Sequence, residues 1–205
     1  MEELQSLKAL QLDALREVAN IGAGHAATAL SQMIGGTIMI SVPRINIQRL
    51  EDVAPLVADP DEPVAAVLLH ILGDLSGRTL LVFPKSAAVE LAAMMLRRPN
   101  TTGELGELEQ SAIKEAGNIL SSAYMNALSE FMGMLLLPSP PALAIDMSAA
   151  VLTTAYLQFG TNKDYVFCVE SDFMLKDESR KLSGFFLLLP DPASLQAILR
   201  AIRVT

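Results

Sequence analysis

The 205-residue chain repeats itself, and this constrains its fold more than any other feature. The segment EVANIGAGHAATALSQMIGGTIMISVP, Glu17 to Pro43, aligns without a gap on EAGNILSSAYMNALSEFMGMLLLPSPP, Glu115 to Pro141, at a shift of 98 residues (115 − 17). The identical pairs are Glu17/Glu115, Asn20/Asn118, Ile21/Ile119, Ala29/Ala127, Leu30/Leu128, Ser31/Ser129, Gly35/Gly133 and Pro43/Pro141, with Leu10/Leu108 and the basic pair Arg16/Lys114 upstream. Further on, LSGRTLLVFP from Leu75 matches LSGFFLLLPDP from Leu182 at a shift of 107. The second copy has therefore gained nine residues (107 − 98), which we place in Gly160–Asp177, TNKDYVFCVESDF with its flanks. The repeats run over about 1–100 and 101–205, joined by the polar stretch Arg97–Glu107. A sequence repeat implies a repeated structural unit that buries its apolar face against its neighbour.

Each repeat opens with a helical pattern, roughly 3–33 and 107–131, stopped by Gly35/Gly36 and by Gly133, as glycine does at helix C-termini. Apolar, β-branched runs bounded by Gly, Pro or Asp follow and read as strands. They are TIMISV, VAAVLLHIL and RTLLVF in the first repeat, and ALAIDM, AVLTTAYLQF, YVFCVE and GFFLLL in the second. Helices close the repeats at about 85–97 and 192–203. About three strands per repeat cannot bury a sheet alone. The expected fold is one α/β domain of the α+β type over 1–205. Its two repeats, related by a pseudo-twofold axis, would share a mostly antiparallel sheet of about six strands packed with helices.

Composition narrows the function classes. The net charge of −8 lacks the basic footprint of a nucleic-acid binder. No apolar run reaches the ~18 residues of a spanning helix; the longest candidate, Phe131 to Ile145, contains Pro138, Pro140 and Pro141. The start, MEELQSL, lacks the basic segment and apolar stretch of a signal peptide. A cytoplasmic protein without membrane insertion is expected. The single cysteine, Cys168, lies in YVFCV and reads as a buried strand residue; with His25 and His70 it cannot build a zinc site. His25 and His70 read as packed histidines, and the ten methionines as core filler. Gly22-Ala23-Gly24 lies within a helix and lacks the full phosphate-loop pattern. Asp146 is a strand-edge or loop residue, or part of a docking surface.

At ~100° per residue, Asp13, Glu17, Asn20 and Gly24 share one stripe about 60° wide. Leu4, Leu7, Ala14, Leu15, Val18 and Ala29 take the broad opposite side, which can pack on a sheet. Ser111, Glu115, Asn118 and Ser122 form the same stripe on the second helix, opposite Ala116, Ile119, Leu120 and Ala123. Each helix thus presents a carboxylate and a carboxamide one turn apart. On a single helix such a pair is usually a solvated face; its recurrence at the same place in both repeats argues against that reading.

The patterns Asp13-x3-Glu17-x2-Asn20-x22-Pro43 and Ser111-x3-Glu115-x2-Asn118-x22-Pro141 resemble the [DS]-x3-E-x2-N-x22-P signature of the CheC/CheX/FliY phosphatases at every fixed position. The two copies and the run NIGAGHAATAL resemble the CheC branch of that family. The resemblance implies hydrolysis of the aspartyl phosphate of the response regulator CheY. Asn20 and Asn118 would orient the attacking water, and Glu17 and Glu115 would anchor the regulator. It implies no cofactor or metal of the chain's own, since Mg²⁺ is expected on phosphorylated CheY, and CheD as a further partner. The alternatives are a non-catalytic CheY- or CheD-binding adaptor of the chemotaxis or flagellar-switch apparatus, and an unrelated α/β domain with a chance motif.

Overall fold

The computed structural model describes residues 9–49, 52, 55, 57–159, 165–175 and 181–204. In chain order the elements are α1 (Ala9–Ile34), β1 (Ile38–Ile40), β2 (Arg44–Arg49), β3 (Pro63–Gly73), β4 (Gly77–Pro84), α2 (Lys85–Leu96), α3 (Glu107–Met132), β5 (Leu136–Pro138), β6 (Ala142–Met147), α4 (Ser148–Phe159), β7 (Tyr165–Leu175), β8 (Lys181–Pro190) and α5 (Pro192–Val204). The expected positions Leu4 and Leu7 lie outside the described residues.

The strands form one sheet in which every pairing is antiparallel. Its order is β1-β7-β8-β4-β3-β5, with β2 also on β7 and β6 also on β3. The sheet is therefore six columns wide, as the sequence implied, but each outer column is split in two. Pro43 precedes β2, and Pro140 and Pro141 precede β6. Proline has no N–H to give to a ladder, so it breaks an edge strand at the point where it falls.

The register displays the pseudo-twofold axis. Leu80 of β4 lies opposite Leu187 of β8, and these residues are also equivalent in the repeat (187 − 80 = 107). A residue can face its own repeat mate only on the axis, which passes between these two leucines. Further out, Arg44 faces Glu170 while Ala142 faces Leu68. The shift is 98 for the outer strands (142 − 44) and 102 for the inner ones (170 − 68). The nine extra residues thus enter in two portions, four before β7 and five between β7 and β8. The outer strands of each repeat lie on the hairpin of the other, so neither repeat has a complete sheet by itself.

Both long helices pack on one face of this sheet. Leu15, Val18, Ala19, Ala26 and Leu30 of α1 share a core with Ala112, Ile113, Ala116, Leu120 and Leu128 of α3 and with Val67, Leu69, Leu81, Phe83, Phe167, Val169 and Phe186 of the sheet. Gly35 (φ 68°) and Gly133 (φ 62°) end the helices in the left-handed conformation that glycine adopts without a Cβ penalty. The repeated serines hold the following turns: Ser31 Oγ accepts the Ile38 N–H at 2.9 Å, and Ser129 Oγ donates to the Met134 carbonyl.

The structure corrects two sequence expectations. AVLTTAYLQF is not a strand but most of α4. A strand would place the adjacent Val151 and Leu152 on opposite faces, whereas one helical turn buries both with Ala66, Leu80, Val82, Phe185 and Leu187 on the sheet's far face. Thr153 and Thr154, β-branched but exposed, supplied the misleading strand signal. Conversely, RINIQR, which contains no continuous apolar run, is strand β2. Its alternation of apolar and polar residues is the half-buried strand pattern.

Candidate functional site

The stripe forms on both helices because their opposite sides are committed to the core. On α1, Leu15, Val18, Ala19 and Ala23 are buried, and this turns Asp13, Glu17, Asn20 and Gly24 to the surface, where all four are exposed. On α3, Ala112, Ile113, Ala116 and Leu120 are buried, and Ser111 and Glu115 are exposed. Asn118 and Ser122 are half-buried, so the second site is more enclosed than the first. Glu and Asn three residues apart are about 4.5 Å apart along the axis, close enough to engage one partner surface together.

Among the described residues, no hydrogen bond or ion pair within the chain engages the side chains of Glu17, Asn20, Glu115 or Asn118. Glu17, Asn20 and Glu115 are exposed, so their donor and acceptor capacity is open to solvent. Asp13, by contrast, accepts a bond from Arg16 at 2.7 Å. This is an exposed pair of the kind that adds at most about 1 kcal/mol to stability. A Cβ added at Gly24 would meet nothing within 4 Å, so the stripe has open space at its C-terminal end.

The backs of the two helices meet closely. A Cβ on Gly22 would lie 2.6 Å from Tyr124 Cδ1 and 3.1 Å from Tyr124 Cα. Tyr124 stacks on Phe186 with ring centroids 4.6 Å apart and shares a 3.2 Å hydrogen bond with Ser171. Burial pushes its phenol above the ordinary range, opposed by that bond. On α3, a Cβ on Gly117 would lie 2.5 Å from Val67 Cγ1. The residue equivalent to Gly117 on α1 is Ala19, which lines an apolar cavity of about 50 Å³ with Val18, Tyr124, Val169 and Phe186. The second helix is seated tightly on the sheet where the first borders a void.

Other candidate residues fall away from the stripe. His25 and His70 are exposed, which corrects the expectation that they are packed. His25 lies at the margin of the α1 exposed arc, and His70 lies toward the end of β3 (Pro63–Gly73). Cys168 is buried as expected. Burial, with the neighbouring Glu170 charge, pushes its thiol up to about 12, far from nucleophilic. Asp146 is exposed on edge strand β6 and accepts the Met147 N–H at 2.8 Å. Among the described residues no cluster of three or more His, Cys, Asp or Glu side chains could hold a metal ion. No helix of the described residues is long and apolar enough to cross a membrane.

The model of the CheC-like family matches residues 10–47 and 108–145, the opening of each repeat. The CheY-P phosphatase CheC of Bacillus subtilis (strain 168) is 30% identical over 205 residues, covering 98% of each chain. The crystal structure of Thermotoga maritima FliY superposes with a TM-score of 0.77 at 24% identity, covering 97% of this chain and 98% of that one. The FliM middle domain from H. pylori shares the fold at a TM-score of 0.68 and 13% identity, covering 95% of this chain and 99% of that one.

Proposed function

The chain belongs to the CheC-like family, and from that premise we propose that it hydrolyses the aspartyl phosphate of CheY, through Asn20 on α1 and Asn118 on α3. The observation that carries this reading is the duplicated carboxylate–carboxamide pair, exposed on α1 and half-enclosed on α3, with no partner inside the chain among the described residues.

The chemistry follows from what the substrate lacks. A phosphoaspartate on a receiver domain comes with its own Mg²⁺, and water can approach the phosphorus in line. Catalysis of phosphoryl transfer consists almost entirely of positioning and charge stabilisation. A carboxamide both accepts and donates hydrogen bonds and stays neutral across the physiological range. Asn20 or Asn118 would accept a hydrogen bond from the attacking water through its carbonyl oxygen and donate through its NH₂ toward the phosphoryl oxygens. Glu17 or Glu115, one turn earlier, would form a charge-assisted pair with a lysine of the regulator's active site and fix the helix over the phosphate. This scheme uses no nucleophile, cofactor or metal ligand from the chain. CheD as an additional partner and a cytoplasmic location belong to the same reading.

The test is loss of phosphate from phosphorylated CheY with Asn20→Ala/Asn118→Ala. The expected outcome is decay at the regulator's own rate from a protein whose thermal midpoint is that of wild type; undiminished acceleration would refute the assignment. The fold likeness to the FliM middle domain favours a second reading, an adaptor that binds CheY without hydrolysing its phosphate. In that case wild type and the double variant would both bind phosphorylated CheY and neither would accelerate its decay.

A further inference from the structure

The α3 stripe continues beyond its motif residues. Leu108 lies seven residues, two turns, before Glu115, so it falls within about 20° of that carboxylate around the helix. Leu108 is 58% exposed. A lone exposed leucine ordinarily calls for no explanation, but two observations single this one out. First, it does not seat the helix: Leu105 before the N-terminus and Ile113 one turn on are buried and do so. Second, the repeat carries a leucine at the same place, Leu10, so both stripes read Leu-x2-[Asp/Ser]-x3-Glu-x2-Asn.

We infer that Leu108 is an apolar docking contact for the receiver domain of the phosphorylated regulator, setting affinity beside the Glu115 anchor. This rests on the proposed phosphatase reading. The occupant follows from continuity with the stripe: Leu108 is about 15 Å along the axis from Asn118. A standard protein–protein patch of about 800 Å² per partner has a radius of about 16 Å. A receiver domain centred on Asn118 therefore reaches Leu108 at the rim of its footprint. Near that reach a charged pair alone discriminates weakly in salt, whereas an apolar contact is insensitive to it.

The experiment uses the full chain carrying Asn20→Ala, so that turnover comes from the second site, with phosphorylated CheY as substrate. Adding Leu108→Ser should raise KM about tenfold, equivalent to roughly 1.4 kcal/mol, with kcat within about twofold of the parent and the thermal midpoint unchanged. Leu108→Met should restore most of the affinity. Leu135→Ser, at an exposed leucine away from the stripe, should leave KM at the parent value. A Leu108→Ser protein with the parent's KM overturns the contact while leaving the phosphatase reading intact. An inactive Asn20→Ala parent would overturn the second site's assignment and this contact with it.

Discussion

Replacing Gly117 with alanine adds one methyl group where α3 lies against β3, on the residue preceding Asn118. A Cβ built there would lie 2.5 Å from Val67 Cγ1, 2.7 Å from Val67 Cβ and 2.9 Å from Val67 Cγ2. Carbon atoms in contact prefer about 3.5–4.0 Å, so something must move. Val67 is fully buried and, being β-branched, has little rotamer freedom with which to yield. Two effects oppose each other. Alanine is favoured over glycine within a helix by about 1 kcal/mol. Overpacking a filled core costs typically about 1–3 kcal/mol, and three contacts below 3 Å put this case at the upper end. The expected net is a destabilisation of about 2 kcal/mol, or about 4–8 °C in thermal midpoint for a chain of this size. In the double variant Gly117→Ala/Val67→Ala the two Cγ contacts are gone and only the 2.7 Å contact with the Cβ of residue 67 remains. The double variant's loss should be smaller than the sum of the single losses by about 1 kcal/mol, the signature of direct contact. The assay is thermal and urea unfolding of the four proteins, with phosphatase activity of the second site read in parallel. The single variant relieves strain by lifting α3, which displaces Asn118, so its activity should fall and recover in part in the double variant. A Gly117→Ala protein stabilised by the full helix-propensity gain would refute the reasoning, because it would mean that the space is already there.

Charge reversal at the anchors, Glu17→Lys with Glu115→Lys, should weaken binding of phosphorylated CheY more than Asn20→Ala/Asn118→Ala does; equal affinities in a binding titration would reject that division of roles. Either asparagine changed singly should leave partial activity, because the two stripes lie on separate helices, and the more enclosed Asn118 and open Asn20 should give unequal residual rates. Complete loss from one change alone in a folded protein would make the sites interdependent. With its thiol held up to about 12, Cys168 should resist a disulfide reagent at pH 8 in the native state and react promptly in urea. The same shift lowers stability as pH rises from about 8.5, the ordinary thiol value, toward 12, since the unfolded chain then releases a proton that the folded one retains. Alkaline unfolding of Cys168→Ser should show less of this slope, and an unchanged slope would count against it.

The sequence by itself determined the repeat, the helices with their glycine stops, and the stripe. Each is a local or periodic property, written in residues a few positions apart or in matched spacing. Asn20 and Glu17 could be placed on one exposed face because a helix converts spacing into direction whatever surrounds it. The sequence could not assign Val151 and Leu152 to a helix, because a short apolar run satisfies a strand and a helix alike until a sheet face waiting to be covered decides between them. It likewise misjudged His25 and His70, since burial depends on which neighbour arrives to cover a residue and how far that cover extends. Only the tertiary structure brought Leu80 opposite Leu187 on the axis, exchanged the outer strands between the repeats, and pressed Gly117 onto Val67 while leaving a void beside Ala19. At the surface, too, the two motifs are unequal, with Asn118 half-buried and Asn20 exposed. Packing is a property of residues far apart in the chain, so a repeat that preserves spacing does not preserve packing.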